Sequence, residues 1–372
     1  MAATKLQAAR YQRDNYTQQQ VVRDLLALAR ARNIPVMSES ALKVKLSRWE
    51  NGHEQVSEPY RRLFRELYGR TNAELGFPPE EVDEDAELLR DRLTHARRVD
   101  AETIALFRQQ IEGARRLDRK HGSVAVLDQL RSQNDQIGEL LDFSTRLAHR
   151  EELAAVLADA SALAGWEALD RNALAPAWRH HETAKAAARE AGSPQLLAHA
   201  TAQQAVVLLD LGETAAAVEQ LAAARDAARQ VASPLLRAWL AAAHGEGLAA
   251  AGDRKGALRA FDAADALLPN EPADPALPFL FLAGAHLDRW RGHALARLGE
   301  ADAIDQLSSA LPRLPADFTR ARAGMLVDLA HAHAAQGDRD AALDHSRQAR
   351  RLASQIKSDR QLRRLSGLIL PT

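Results

Sequence analysis

Apolar residues recur at spacings of three and four along most of the chain, which is the period of an amphipathic α-helix. Alternating apolar and polar positions, the signature of a half-buried strand, do not appear. The pattern therefore predicts an all-α fold. It also divides the chain, because short helices are expected in the first 79 residues and longer, paired helices towards the C-terminus.

The C-terminal part repeats one pattern, in which a helix rich in leucine or alanine ends at glycine, an acidic residue follows, and an alanine-rich helix begins. The residues at the glycine position are Asn172, Gly212, Gly252, Gly299 and Gly337, separated by 40, 40, 47 and 38 residues. Glycine or asparagine can close a helix in the left-handed conformation, and an acid favours the start of the next helix. Such helix pairs bury their apolar faces only by stacking on one another. Because the tetratricopeptide period is about 34 residues, we expect an irregular tetratricopeptide-like superhelix.

A proline-rich and acidic segment separates the two parts. Pro78 and Pro79 end the preceding helix, and the run EEVDED that follows has no apolar period. We therefore expect a small helical domain over residues 1–79, a helical connector over 80–150 and a repeat domain over 151–372. Within the connector, Gly122 is expected to break a long amphipathic segment.

Capping signals mark the starts of four of the five helices expected in the small domain. A Ser, Thr or Asp at the N-cap, or a proline in the first turn, marks a helix start, and a glutamine or glutamate three residues later completes a capping box. The expected start signals are Thr17 with Gln20, Ser38 or Ser40, Pro59, and Thr71 with Glu74.

The third of these helices contains the segment LSRWENG and is divided between two faces. Leu42, Leu46 and Trp49 fall on one stripe, which is expected to be buried, and Gly52 is expected to end the helix. The residues expected on the opposite side are Lys43, Val44, Ser47 and Arg48. Glu50 is expected to face inward and to form an ion pair with Arg10.

Composition excludes several kinds of site. At 372 residues the chain is long enough for two domains, and it contains no cysteine, so disulfides and cysteine nucleophiles are excluded. The N-terminus carries no apolar segment of signal-peptide length, and no run of 18 apolar residues occurs. We therefore expect a cytoplasmic protein that does not enter the membrane.

The net charge of −1 conceals an asymmetry between the two parts. Residues 1–79 hold 13 Lys and Arg against 8 Asp and Glu, a balance of +5, which leaves −6 for the remainder. A basic small domain on an acidic body suits a protein whose N-terminal part meets nucleic acid. A basic face that is merely solvated is the alternative.

Residues 5–77 resemble the Xre/Cro-repressor-like helix-turn-helix family, in the form found in actinobacterial regulators. The segments that carry the resemblance are SRWENG and YRRLFRELYGRTNAELGF. The remainder resembles the tetratricopeptide-like regions attached to such regulators, in the segments RRLDRKHGS, LAGWEALDRN, SPLLRAWLAAA and KSDRQLRRLSGLIL. The resemblance covers nearly the whole chain and implies DNA binding, without specifying a ligand or a target gene.

The resemblance implies that the third helix lies in the major groove of double-stranded DNA. Carried over position by position, the base-contacting residues are Lys43, Val44 and Arg48. The phosphate-contacting residues are Gln18, Lys45, Ser47 and Asn51, and Thr17 combines a helix cap with a secondary phosphate contact. Two departures from the family pattern are a longer second helix or following loop, and one extra residue before Thr17 that weakens the pairing of Arg10 with Glu50.

Other candidate chemistry is weaker. His180 with His181 and His331 with His333 lack the spacing of a zinc pair, and no phosphate-binding glycine loop or catalytic constellation occurs, so neither an enzyme nor a cofactor is expected. Four tryptophans, Trp166, Trp178, Trp239 and Trp290, are expected to fill gaps in the packing rather than to line a ligand groove. Gln203 and Gln204 are the amides best placed to grip a peptide.

The sequence therefore predicts a DNA-binding transcriptional regulator that forms a homodimer. A small-molecule or peptide effector in the repeat domain is possible, and the apolar end of QLRRLSGLILPT, which a single superhelix would expose, favours a dimer. The alternative is a protein–protein adaptor whose N-terminal domain no longer binds DNA.

Overall fold

The computed structural model describes residues 4–14, 16–79, 83–270, 274, 277, 279–282 and 284–371. These residues form α-helices, short 3₁₀ turns and connecting segments, and they contain no strand, so the predicted all-α class is confirmed. The chain divides into two compact units, Met1–Leu88 and Leu89–Thr372. Residues 80–82, at the centre of the expected boundary, lie outside the described residues.

The described residues of the N-terminal unit form five helices before the boundary region. They are α1 (Lys5–Tyr11), α2 (Gln18–Ala31), α3 (Glu39–Glu50), α4 (Tyr60–Tyr68) and α5 (Asn72–Leu75), and α6 (Glu84–Arg97) follows. The predicted capping boxes are present at the starts of α2 and α5. Ser38, rather than Ser40, caps α3 by accepting from the backbone of Ala41.

The core of this unit is built from the inward faces of α2, α3 and α4. Leu42, Leu46 and Trp49 are buried as the helical period predicts, and Trp49 packs against the rings of Tyr60 and Phe64 at centroid distances of 5.0 and 6.0 Å. Leu67 on α4 is only partly buried. Gly52 follows α3 with a φ of 70°, the left-handed conformation that ends the helix.

The C-terminal unit is a succession of paired helices. After α6 come α7 (Ala101–His121), α8 (Leu127–Asp142), α9 (Leu147–Asp170), α10 (Leu174–Glu190), α11 (Pro194–Leu211), α12 (Thr214–Ala228), α13 (Pro234–Ala250), α14 (Arg254–Leu267), α15 (Gly284–Arg297), α16 (Asp302–Ala310), α17 (Thr319–Ala335), α18 (Arg339–Gln355) and α19 (Asp359–Ser366). Helices α7 and α8, from the expected connector, both pack against α9 in this unit. Gly122 ends α7, as predicted.

The repeated glycine position adopts the conformation that the sequence predicts. Gly212, Gly252, Gly299 and Gly337 have φ between 75° and 87°, and Asn172 has a φ of 55°. The acid that follows caps the next helix directly at two of these sites, because Asp253 and Asp338 accept backbone hydrogen bonds three residues ahead. The repeat in the sequence is therefore a repeated helix-ending turn.

The odd-numbered helices of this unit form a continuous inner row. Each odd-numbered helix from α9 to α17 packs on the next one, and the even-numbered helices from α10 to α18 pack against their odd-numbered neighbours. Helix α17 also packs on α7, which in turn packs on α9, and α19 packs on both α17 and α9. The row therefore closes on itself, and the last helices of the chain meet the first helices of the unit.

Buried ion pairs hold this closure. The Arg320 guanidinium on α17 contacts Asp118 of α7, and also Glu167 at 2.7 Å and Asp170 at 3.3 Å on α9. On α19, the Arg360 guanidinium donates to both oxygens of Asp210 at 2.6 and 2.8 Å. These contacts join residues that are between 150 and 202 positions apart.

Candidate functional site

The outer face of α3 presents the residues that were expected to contact base edges. Lys43, Val44 and Arg48 are all exposed, and Val44 has 62% of its surface accessible although it is aliphatic. Ser47 is half-buried between them. This face therefore presents one aliphatic and two cationic side chains to solvent.

A buried network anchors α3 from behind. Arg10 Nε donates to Glu50 Oε1 at 2.7 Å, and its Nη2 donates to Oε2 at 3.0 Å. Glu50 is fully buried, and its backbone carbonyl accepts from the Thr4 hydroxyl at 2.7 Å. The predicted pairing of Arg10 with Glu50 is confirmed, and the extra residue before Thr17 does not weaken it. This charged pair links α1 to the end of α3 and fixes the direction in which its outer face points.

Three residues assigned to phosphate contact have partners within the unit. Gln18 Nε2 donates to Glu50 Oε2 at 2.7 Å, Asn51 Nδ2 donates to the Ser47 carbonyl at 2.7 Å, and Thr17 caps α2. Thr17 and Asn51 remain exposed, whereas Gln18 is half-buried. The side-chain amides of Gln18 and Asn51 therefore have structural roles in the free protein, as does the Thr17 hydroxyl.

Glu54 places an acid beside the cations of α3, which the sequence did not predict. Lys45 Nζ contacts Glu54 Oε1, and Arg48 Nε lies 3.5 Å from Oε2. The hydrogen bond from Lys45 lowers the pKa of the Glu54 carboxyl, so this side chain is ionised at neutral pH. Lys43 is the cation of this face that has no acidic partner among the described residues.

The connection between α2 and α3 accounts for the extra length noted in the sequence. Helix α2 has 14 residues, and seven residues, Arg32–Ser38, separate it from α3. This connection is held in place because Arg32 bonds Glu66 at 2.6 Å and the Met37 backbone donates to the Tyr60 hydroxyl at 2.8 Å. The usual helix-turn-helix connection has about three or four residues. The longer one is therefore an ordered loop.

The second feature of interest is a cavity of about 280 Å³ inside the C-terminal unit. It is lined mainly by the odd-numbered helices and by Phe279 and Phe281, from the segment between α14 and α15. Trp166, Trp239 and Trp290 line it, so the expectation that the tryptophans only fill packing gaps is wrong for these three. Trp178 packs against the same small apolar cluster as Trp166 and does not line the cavity.

Most charged groups on the cavity wall are paired with one another. Arg115 bonds Asp159 at 2.7 Å, Arg364 contacts Asp328, and the arginines of the closing contacts bind the acids named above. His293 lies between Asp328 and Glu246, with ring nitrogens 2.8 and 3.2 Å from their oxygens. The cavity is therefore surrounded by charges that largely neutralise each other.

Aromatic rings form two groups on the wall. In the first, His199 lies 5.0 Å from Trp239 and 4.2 Å from Phe279, and Trp239 lies 5.5 Å from Trp290. In the second, the His286 ring is 4.7 Å from Phe281 and 4.8 Å from Phe318. Burial lowers the pKa of both His199 and His286 to about 3, so both rings are neutral at physiological pH.

The histidines and glutamines singled out in the sequence lie in different surroundings. His181 is buried against Gly165, and burial lowers its pKa to about 3. His331 contacts the backbone carbonyl of Arg364 at 3.1 Å. Gln204 is held by Glu182 and Lys185, whereas Gln203 lines the cavity. In the part of the chain that the structure describes, no group of three or more His, Asp or Glu residues has the arrangement of a metal site.

Among the helices that the structure describes, none has the length and apolar character needed to cross a membrane. No family model matches the chain, and no curated protein matches it.

Proposed function

We propose that the protein is a sequence-specific DNA-binding transcriptional regulator of the Xre helix-turn-helix type. In this proposal the N-terminal unit binds double-stranded DNA, and the C-terminal unit is a tetratricopeptide-like array that serves dimerisation and effector sensing. The observation that carries the proposal is the outer face of α3, where Lys43, Val44 and Arg48 are exposed together.

The chemistry of this face matches the edges of base pairs. An α-helix fits the major groove, where lysine and arginine donate to guanine acceptors and an aliphatic group contacts the thymine methyl. The buried bonds from Arg10 to Glu50 hold α3 rigidly, so a side chain on its outer face reaches a defined position. The residues that flank this face and would contact phosphates are Thr17, Gln18, Lys45, Ser47 and Asn51. Lys45 would exchange its contact with Glu54 for one with a phosphate oxygen.

Two observations favour the alternative, a protein–protein adaptor. Glu54 partly neutralises Lys45 and Arg48, and the seven-residue connection before α3 is longer than a DNA-binding turn requires.

The sequence argument for a dimer loses part of its basis, because α19 packs on α9 and α17 instead of ending an open array. Ile369 beyond α19 nevertheless remains 86% exposed.

Selection from random-sequence duplexes, followed by titration of the enriched site, tests the proposal. We expect the full chain to enrich a two-fold symmetric sequence, because one recognition helix reads only a few base pairs. Arg48→Ala should weaken specific binding by about 1–3 kcal/mol and relax one base preference. Arg62, an exposed arginine on α4, provides the matched control variant Arg62→Ala, which should leave the preference unchanged.

The adaptor alternative gives a different result in the same experiment. No sequence would be enriched above the starting pool, and Arg48→Ala and Arg62→Ala would weaken any residual binding equally. A preference that persists unchanged in both Arg48→Ala and Lys43→Ala would show that α3 is not the helix that reads the sequence.

A further inference from the structure

Several polar atoms on the wall of the central cavity have no hydrogen-bond partner among the described residues. They are Gln203 Oε1 on α11, and His286 Nε2 and Arg289 Nε on α15. His286 is only 5% exposed, so its unpartnered nitrogen is well removed from bulk solvent. Buried polar groups in proteins nearly always have partners, and leaving one without a partner costs free energy. These atoms therefore indicate a place for a polar ligand.

Two arginines remain without an acid when the ion pairs of the cavity wall are assigned. Arg119 and Arg289 line the cavity, and neither has an ion pair with a described residue. The acids whose charges act most strongly on Arg289 are Glu246 and Asp328, and both of them contact the ring nitrogens of His293. Because a guanidinium stays charged even when buried, two positive charges on the cavity wall are not engaged in an ion pair with a described residue.

Arg119 packs on the second aromatic group, whereas Arg289 packs on Trp290 of the first. The Arg119 guanidinium lies over the rings of Phe281 and Phe318, at 5.8 and 5.4 Å from their centroids. Arg289 follows His286 by three residues on α15, so both side chains project from the same side of that helix. His286 itself contacts Phe281 and Phe318. Burial and the charges of both arginines lower the pKa of His286, so both guanidinium groups lie near this imidazole.

We propose that this cavity binds a small aromatic anion. A carboxylate or phosphate of the ligand would lie between Arg119 and Arg289, and its ring would lie against the aromatic walls. Arginine pairs with both kinds of anion through two parallel hydrogen bonds, and the free ring nitrogen of His286 can donate a further one. Gln203 Oε1 can only accept, so it would take a hydrogen bond from a donor elsewhere on the ligand. A cavity of about 280 Å³ is close to the lower end of the range for ligand pockets, about 300–1,000 Å³, so the ligand is a small one.

Isothermal titration calorimetry of the full chain tests this inference with four probes that share one ring system. They are 2-naphthoate, 2-naphthyl phosphate, 2-naphthamide and 2-naphthylmethylamine. We expect at least one of the two anions to bind about tenfold or more tightly than the neutral amide, because a charge-assisted hydrogen bond is stronger than a neutral one. The cationic amine should bind most weakly. The comparison of carboxylate with phosphate identifies which anion the site prefers.

Substitutions locate the binding site. Arg289→Gln and Arg119→Gln should each weaken anion binding about tenfold or more, whereas Arg259→Gln should not change it. Arg259 is an exposed arginine on α14 that does not line the cavity, and it therefore serves as the matched control. Circular dichroism of each variant establishes that the helices are retained. If a variant does not fold, the comparison of charged and neutral probes on the unaltered protein still tests whether the chain prefers an aromatic anion.

The inference is overturned if the amide binds as tightly as both anions, or if no anion binds at millimolar concentration. Anion binding that both cavity variants retain would overturn it as well. The result does not depend on whether the N-terminal unit binds DNA, because the titration contains no DNA and all the substituted residues lie in the C-terminal unit.

Discussion

His293 on the cavity wall is held between two carboxylates, and its protonation state is coupled to theirs. Burial alone would lower the pKa of this imidazole, but Asp328 and Glu246 raise it above its ordinary value of 6.5. In turn, burial would raise the pKa of Glu246, but the hydrogen bond from His293 and its charge lower that pKa to about 2. The three side chains therefore stabilise the fold most when the imidazole is protonated and both acids are ionised.

This coupling predicts a defined pH dependence for the stability of the His293→Gln variant. The contribution of the imidazole is fully present below its unfolded pKa near 6.5, and it is lost as pH rises through the higher folded value. The contribution of Glu246 is present above about 4.5 and is lost as pH falls towards 2. Urea denaturation should therefore show the largest deficit of the variant between pH 4.5 and 6.5, on the order of 3 kcal/mol.

The deficit should narrow as the pH is raised further. The exposed His121 supplies the control variant His121→Gln, for which a much smaller deficit is expected at every pH. A deficit of His293→Gln that stayed constant from pH 5 to 9 would contradict the assigned charge state.

Residue roles could be predicted from the sequence where they depend on neighbours within one or two helical turns. Thr17, Leu42 and Trp49 have the cap and core positions that local spacing predicts. Glu54 was missed because it lies beyond the end of α3, where the helical period gives no information. His293 was missed because both of its partners come from other helices, 35 residues away in the case of Asp328.

At the level of helices, the repeated glycine is the feature that the sequence identifies best. Gly337 ends α17 with a φ of 83°, and a Cβ added there would meet no other atom within 4 Å. Glycine is therefore needed at this position only for its backbone conformation, because an L-residue is strained at a positive φ while glycine is not. Gly138 provides a contrast, since it lies within α8 with an equally free position for a Cβ.

The two glycines should respond to alanine with opposite signs. Gly337→Ala should lower the free energy of unfolding by about 1–2 kcal/mol, because alanine is strained at this positive φ. Gly138→Ala should raise it by about 0.5–1 kcal/mol, because alanine restricts the unfolded chain and favours the helix. Urea denaturation of both variants beside the unaltered protein measures the difference. Changes of the same sign would show that the two sites are not distinguished by backbone conformation.

The one long interval between repeats has a structural cause that the pattern did not reveal. The 47 residues from Gly252 to Gly299 include the segment between the end of α14 at Leu267 and the start of α15 at Gly284. This segment contributes Phe279 and Phe281 to the cavity wall. The spacing of 47 residues showed that this interval is longer than the others, but a helical period cannot show which way Phe279 and Phe281 face.

At the level of the whole C-terminal unit, closure of the inner row is the property that the local sequence pattern predicts least well. Asp118 and Arg320 are 202 residues apart, and the pattern of either helix gives no sign that they meet. A periodic sequence predicts stacking of neighbours, which fits an open array equally well. Only the three-dimensional packing of α17 on α7, and of α19 on α9, distinguishes a closed row from an open one.

Arg320 is the residue on which this closure depends most directly. Burial raises the pKa of Glu167 well above its ordinary value and also raises that of Asp118, so the acids around this guanidinium are costly to keep ionised without it. Removing one partner of a buried ion pair typically costs about 3–5 kcal/mol, because a charge is left uncompensated.

We therefore expect Arg320→Met to lower the free energy of unfolding by about 3–5 kcal/mol at pH 7, and by less as the pH falls and the acids become protonated. The double variant Arg320→Met with Glu167→Gln should regain part of the loss, because one of the uncompensated charges has been removed. Arg347→Met, at an exposed arginine of α18, is the matched control and should change stability by less than about 0.5 kcal/mol. Urea denaturation followed by circular dichroism measures all three. If Arg320→Met were no less stable than Arg347→Met, the buried ion pairs would not be what holds the first and last helices of the unit together, and the closure would rest on apolar packing alone.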